Sequence, residues 1–164
     1  MQRVPVVKAH AYGNDFLLVD GRHAGGDRPA LARALCDRHQ GVGADGLICY
    51  SLEAPRVTMH LLNADGSFSE LSGNGLRCLA AFAAERRALR AGAVVEVDTS
   101  AGLKTLELLD VDGTRFSFRA ALGPPTDVHQ ESIDVAGETL TASVLGMGNP
   151  QCVVLGPLPS AERF

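Results

Sequence analysis

Ser72-Gly73-Asn74-Gly75 is the stretch of this chain best placed to do chemistry. After Gly75 the residues Leu76, Leu79, Ala80, Ala83 and Leu89 recur at helical spacing among frequent alanines. The spacing predicts a helix over 75–90. Arg86, Arg87 and Arg90 then fall in its last turns, where cations suit the negative end of the helix dipole, and Gly92 is its stop. Residues 72–75 thus open the helix. A helix start offers backbone N–H groups without partners and a partial positive charge. Gly73 and Gly75 carry no Cβ, so a ligand can come close to that backbone. The chemistry this suits is the holding of a carboxylate or phosphate, or a side chain at position 72 that carries or develops negative charge. The same residues read equally well as a glycine-rich helix start with no ligand, because short Gly-rich turns are weak signals.

Three Gly-Asn pairs recur along the chain, Gly13-Asn14, Gly73-Asn74 and Gly148-Asn149, and Asn63 opens a further turn, Asn63-Ala64-Asp65-Gly66-Ser67. A carboxamide both donates and accepts hydrogen bonds. Four of them could hold an amino-acid zwitterion without strong net charge. Each alone is also an ordinary turn residue.

The elements that must position these groups are mostly strands. Val4 to Val7, Phe16 to Val19, Leu47 to Tyr50 and Arg56 to Leu62 read as strands, the last with Val57, Met59 and Leu61 alternating with polar positions. Asp27 and Pro29 open a helix over 30–38. Gly41 to Gly46 is a loop. Strands recur at Ala93 to Asp98, Leu103 to Leu109 and Thr114 to Ala120, with Asp112-Gly113 as a hairpin signal. Gly123-Pro124-Pro125 is a break, and Leu140 to Leu145 and Cys152 to Leu155 are further strands. Strands outnumber helices and neighbours can pair as hairpins. The fold class is therefore α+β, with a mostly antiparallel or mixed sheet in which the Ala-rich helix could lie inside a curve.

Composition narrows the function. The chain has 164 residues, 46% of them hydrophobic and 21% charged, which makes it globular. A net charge of −4 argues against a nucleic-acid surface. No run approaches a membrane span, and the N-terminus is not a signal peptide. The two lysines, Lys8 and Lys104, lie in no context that suggests a Schiff base with pyridoxal phosphate. The four cysteines, Cys36, Cys49, Cys78 and Cys152, form no CxxC pair, and no His cluster has zinc spacing. The expectation is a cytoplasmic protein with four free thiols and no metal.

Four stretches together resemble diaminopimelate epimerase: HAYGNDF at 10–16, CDRHQGVGADG at 36–46, NADGS…SGNGLRC at 63–78 and MGNPQCVV at 147–154. The resemblance implies two pseudo-symmetric halves, each a strand barrel around a central helix, with the active site between them. Residues 1–120 would be the first half and 121–164 the opening of the second. It implies interconversion of LL- and meso-diaminopimelate, on the route to lysine and peptidoglycan, without metal or cofactor. Two cysteines, one per half, would exchange protons on opposite faces of the α-carbon. Asn14, Asn63, Gly73, Asn74 and Asn149 take substrate-holding positions, and the four asparagines are expected to converge on one cleft with Ser72 Oγ beside the helix start. Ser72 falls where the family places its first catalytic cysteine. The diaminopimelate substrate is the only partner implied, and a homodimer of the intact protein stays open.

Three residues depart from the family pattern. Ser72 is an alcohol where the family has a thiol, Gln151 stands where a His usually follows Asn-Pro, and Gly46 stands where many members have a ligand-contacting Gln. Ser160 to Phe164 reads as an N-cap and first helical turn that stops, as if the chain were truncated, with the second cysteine and a Glu-Arg substrate pair beyond it. A related amino-acid racemase or dehydratase, or an inactive amino-acid-binding homologue, remain the alternatives.

Overall fold

The computed structural model describes residues 3–53, 55–147 and 149–156. The chain forms two compact units, Met1–Leu122 and Gly123–Phe164.

The first unit runs β1 (Val7–Ala11), β2 (Asn14–Asp20), α1 (Arg28–Cys36), β3 (Gly46–Ser51), β4 (Val57–Asn63), β5 (Phe68–Ser69), α2 (Gly73–Arg86), β6 (Val94–Thr99), β7 (Gly102–Asp112) and β8 (Arg115–Ala121). Its strands join one mixed sheet in the order β1-β2-β3-β4-β6-β7-β8, with β5 paired to β4. The β2–β3 and β4–β6 pairs are parallel, and the other pairs are antiparallel. Each parallel pair is joined by a crossover through a helix, α1 for the first and α2 for the second, as parallel neighbours require. The fold is α+β, with the sheet curled about α2, which packs against β1, β2, β3, β4, β6 and β8.

Alternation along the strands sorts the side chains onto two cores. Phe16 and Leu18 of β2, Ile48 of β3, Met59 and Leu61 of β4 and Val95 and Val97 of β6 pack with Leu76, Leu79, Ala80 and Ala83 of α2. Their neighbours Leu17, Val19, Leu47, Cys49 and Leu62 face the other way and pack with Ala32 and Cys36 of α1. Alanines let α2 lie close to strands on several sides, which is why so short a helix can serve as a core.

Both helices are capped where their sequences say, but each begins two residues before the expected positions 30 and 75, and α1 ends at Cys36 rather than 38. The Asp27 carboxylate accepts from the Ala30 N–H at 2.9 Å and caps α1, with Pro29 in the first turn. The end of α2 differs from expectation. It stops at Arg86, short of position 90, and Gly92 is not the stop. Ala88 takes a left-handed conformation (φ 50°), the Leu89 N–H reaches the Ala84 carbonyl at 2.9 Å, and the Ala88 N–H reaches that of Glu85 at 3.1 Å. That is a Schellman closure with alanine at the position glycine favours. An Ala88→Gly variant is therefore expected to be more stable by about 1 kcal/mol, from relief of left-handed strain. Urea melts of the two proteins check this, and a lower midpoint for the variant would contradict it.

Other strand boundaries differ as well. The first strand is β1 at Val7–Ala11 rather than 4–7, and β2 begins at Asn14. Only Tyr12 and Gly13 remain as the turn, both at positive φ (55° and 86°), the twist that a two-residue hairpin needs.

The second unit is a three-stranded antiparallel sheet in the order β11-β10-β9, made of β9 (Thr126–Val135), β10 (Glu138–Gly146) and β11 (Pro150–Val154). Strand β9 went unforeseen because all its residues but Ile133 are exposed, leaving no apolar alternation to read. The helical turn expected at 160–164, and Gly148 of the third Gly-Asn pair, lie outside the described residues. Among the described residues no helix is long and apolar enough to cross a membrane, and no cluster of His, Cys, Asp and Glu could hold a metal ion.

Candidate active site

Ser72 is the N-cap of α2. Its extended backbone (φ −127°, ψ 121°) turns the chain into the helix, and its Oγ accepts from the Gly75 N–H at 3.1 Å. The Ser72 carbonyl accepts the first helical bond, from the Leu76 N–H at 2.8 Å. Both cap functions are filled by one residue. Gly73 and Asn74 complete a first turn that contains no acidic residue.

Glycine at position 75 lets this turn sit down on the sheet. A Cβ there would meet Ile48 Cδ1 at 3.2 Å, Met59 Cε at 3.3 Å and Phe16 Cε1 at 3.4 Å. The helix start is thus seated over the first halves of β2 and β3, with Met59 of β4 reaching it.

Asn14 and Asn63 stand at that same end. In the sheet register Phe16 lies beside Gly46, and Gly46 lies beside Asn63. Asn14 is two residues before Phe16 and pairs with Ala11, which packs on the α2 core. Asn63 is two residues past Leu61, also in that core. Strand alternation therefore puts both asparagines on the face that carries α2. The Asn63 Nδ2 donates to Ser67 Oγ at 2.9 Å, closing the turn into β5. Asn149 belongs to the second unit. It is exposed, and its Oδ1 accepts from the Gln151 side chain at 2.9 Å.

Two groups near the site were not found by reading the sequence. Arg77 folds back along α2 and donates from Nη1 to the Gly73 carbonyl at 3.1 Å and to Asn74 Oδ1 at 3.3 Å. Its spacing of four from Gly73 is the available signal. The other group is an ion cluster beside Asn14. Asp15 accepts from Arg38 Nη2 at 2.7 Å and lies 3.0 Å from Lys8 Nζ, while Arg38 also reaches Asp45 at 2.8 Å. Asp15 and Asp45 exchange bonds between the backbone N–H of each and the carboxylate of the other, at 3.0 and 3.1 Å. The Arg38 guanidinium holds the Asp15 carboxyl well below the usual carboxylate range. Asp15 lies in the stretch 10–16 and Arg38 and Asp45 in the stretch 36–46, but nothing in the sequence joins the two stretches.

The thiols offer no substitute for an acid or base at position 72. All four cysteines are free. Cys36, Cys49 and Cys78 are buried; burial pushes the Cys36 and Cys78 thiols up to about 11 and raises that of Cys49. Cys152 is exposed on β11.

Gly46 also has a packing reason to be glycine. A Cβ there would lie 2.8 Å from the Leu62 carbonyl and 3.2 Å from the Phe16 ring. Gly46→Gln is therefore expected to destabilise by about 1–3 kcal/mol, the cost of forcing extra atoms into a packed site, rather than simply to add a ligand contact. Thermal and chemical melts would show it; unchanged stability would mean that β3 and β4 move apart at no cost.

Residues 6–128 match the family profile described as diaminopimelate epimerase. The diaminopimelate epimerase of Desulforudis audaxviator is 39% identical over 165 residues, covering 91% of this chain and 59% of that protein. That of Moorella thermoacetica is 39% identical over 163 residues, 90% of this chain and 58% of its own length. The chloroplastic diaminopimelate epimerase of Oryza sativa is 36% identical over 166 residues, covering 92% and 47%. The chain spans less than two thirds of the length of these curated relatives. Among solved structures, a probable proline racemase from Agrobacterium radiobacter matches with a TM-score of 0.72 at 15% identity, over 93% of this chain and 52% of that one. A hydroxyproline epimerase from Agrobacterium vitis matches with a TM-score of 0.70 at 18% identity, over 92% and 51%. At those identities the likeness is one of fold.

Proposed function

The chain belongs to the diaminopimelate epimerase family, and from that membership we propose that it acts on the α-carbon of diaminopimelate, interconverting the LL and meso forms by proton transfer. The observation that carries this reading is the coincidence at one end of one sheet face: the start of α2, Asn14 and Asn63. A substrate carboxylate sits against the N–H groups of Gly73 and Asn74, where the helix dipole favours an anion. When the α-proton leaves, negative charge spreads into that carboxylate, and donors already in place stabilise it. Asn14, Asn63 and Asn74 hold the remaining amino and carboxyl groups. Asn149 is assigned a substrate contact on the family motif alone. In this reading the chemistry runs without metal or cofactor.

Position 72 holds the proton-transfer group for one face of the α-carbon. A thiol there would be acidified by the helix start. An alcohol is a far weaker acid, and Ser72 Oγ is engaged as the cap of α2. That engagement favours a second reading, an amino-acid-binding homologue without turnover. A related racemase or dehydratase would differ in the distal group it accepts.

Titration of the isotopically labelled chain with LL- and meso-diaminopimelate tests the binding common to the first two readings. The expected result is movement of the backbone amide resonances of Gly73, Asn74 and Gly75, reduced at least tenfold in affinity by Asn74→Ala. A titration that moves none of these resonances sinks the reading.

A further inference from the structure

Helix α2 is electrostatically unusual at its start. Helices place acids in the first turn and cations in the last, because the dipole rewards that order. Here the first turn has no acid. Instead the Arg77 side chain lies back toward the N-terminus, its Nη1 bonded to the Gly73 carbonyl at 3.1 Å and to Asn74 Oδ1 at 3.3 Å. A Cβ on Gly73 would be 3.6 Å from the same nitrogen. Arg77 is half-buried, and among the described residues no carboxylate forms an ion pair with it. In the same unit Arg22, Arg38, Arg56 and Arg119 pair with carboxylates, whereas Arg33 and Arg87, like Arg77, donate to backbone carbonyls. A cation placed at the positive end of a helix, without a counter-ion, raises the local positive potential at a cost to the free protein.

We propose that Arg77 is an electrostatic positioning residue of the site at the α2 start. It does two things from one place. By donating to Asn74 Oδ1 it fixes the carboxamide so that the Asn74 Nδ2 group, a donor, is left for an anion. By its charge it adds to the helix start in favouring negative charge at position 72 and on a carboxylate bound there. The missing counter-ion is then the substrate carboxylate. The second part of this inference rests on the functional reading above, while the charge effect at position 72 does not.

The two are separated by a measurement that needs no substrate. In the Ser72→Cys variant of the whole chain, the rate of alkylation of the introduced thiol by iodoacetamide is followed against pH, by mass spectrometry of the peptide that carries position 72. Adding Arg77→Gln is expected to raise the apparent thiol pKa by about half a unit to one unit, the size of effect a nearby unit charge has in a solvent-rich setting. Below the pKa this appears as alkylation slowed by roughly 3- to 10-fold, and about 1 M salt should shrink the difference. A purely structural role for Arg77 would not move this titration in a protein that stays folded by circular dichroism. If the glutamine variant fails to fold, Arg77→Met, which keeps the apolar stem, serves in its place. Coincident pH curves with and without Arg77 in folded proteins overturn the inference. A shifted curve in a protein that binds no diaminopimelate keeps the charge effect and refutes the substrate reading alone.

Discussion

The 164-residue chain is expected to leave LL- and meso-diaminopimelate unchanged, and Ser72→Cys is expected not to alter that result. Inversion at a carbon needs a base on one face and an acid on the other, and each such group typically contributes ~10²–10⁴-fold. At the α2 start the only candidate is Ser72, a hydroxyl committed to the Gly75 N–H. The buried cysteines cannot replace it, since two of their thiols are raised to about 11. About two fifths of each of these relatives' length lies outside the match with this chain. Ser72→Cys repairs one face only. It also weakens a cap of a type whose loss typically costs about 1 kcal/mol. The assay is interconversion of the two isomers, with deuterium uptake at Cα in heavy water. Robust turnover by the chain would refute a two-sided mechanism in this protein. Fused to the segment by which the relatives exceed it, the Ser72→Cys chain is expected to turn over faster than the Ser72 chain by ~10²–10⁴-fold. Equal rates in that fusion would show that position 72 is not the first base.

The largest effect on stability is expected from Leu79→Ala. Leu79 is fully buried on the face of α2 that meets the curled sheet. Truncating a leucine in such a site removes its transfer free energy and leaves a cavity, at a cost of about 2–5 kcal/mol. Set against a total of about 5–15 kcal/mol for a domain, that is a substantial share. Denaturant melts should show a lower midpoint with a similar slope. Leu103→Ala, at a position 44% exposed on β7, is the control and should change stability by less than about 0.5 kcal/mol. Similar losses in both variants would mean that α2 is not the centre of this core.

What the sequence disclosed depended on whether a residue type carries its own signal. Asp27 with Pro29, and Ser72 with two glycines, announce helix starts through side-chain chemistry, and both helices begin there. The end of α2 has no such marker. Arg86 to Arg90 are all good helix formers, and the chain stops because Ala88 adopts a conformation that its type does not advertise. Asp112-Gly113 gave away the β7–β8 hairpin, whereas β9, polar and exposed on both faces, gave no period to detect. Of the residues proposed for the site, Ser72, Gly73 and Asn74 could be read together because they are contiguous. Asn14 and Asn63 were singled out as turn carboxamides, and only the sheet register puts them at one end of one face. The Asp15–Arg38–Asp45 cluster was not legible, because only the parallel pairing of β2 with β3 brings those three together.

Strands β2 and β3 are apolar on both faces, so Leu17, Leu18, Val19, Leu47, Ile48 and Cys49 are all buried. Most half-buried strands police their own alignment, because sliding by one residue would drive polar groups inward. Within their apolar runs these two strands have little such penalty. There a slide would exchange one buried apolar residue for another. The alignment must then be fixed at the ends, and the reciprocal Asp15–Asp45 bonds with their shared arginine stand at the end where Asn14 begins. The ion cluster works as a detent, a mechanical stop that selects one setting among several of similar packing energy. Because the Asp15 carboxyl is held below its ordinary range, this stop is fully set above pH ~4 and is released as acid protonates the carboxylate. Acid should therefore cost this protein the alignment of its asparagines before it costs the apolar layers between them.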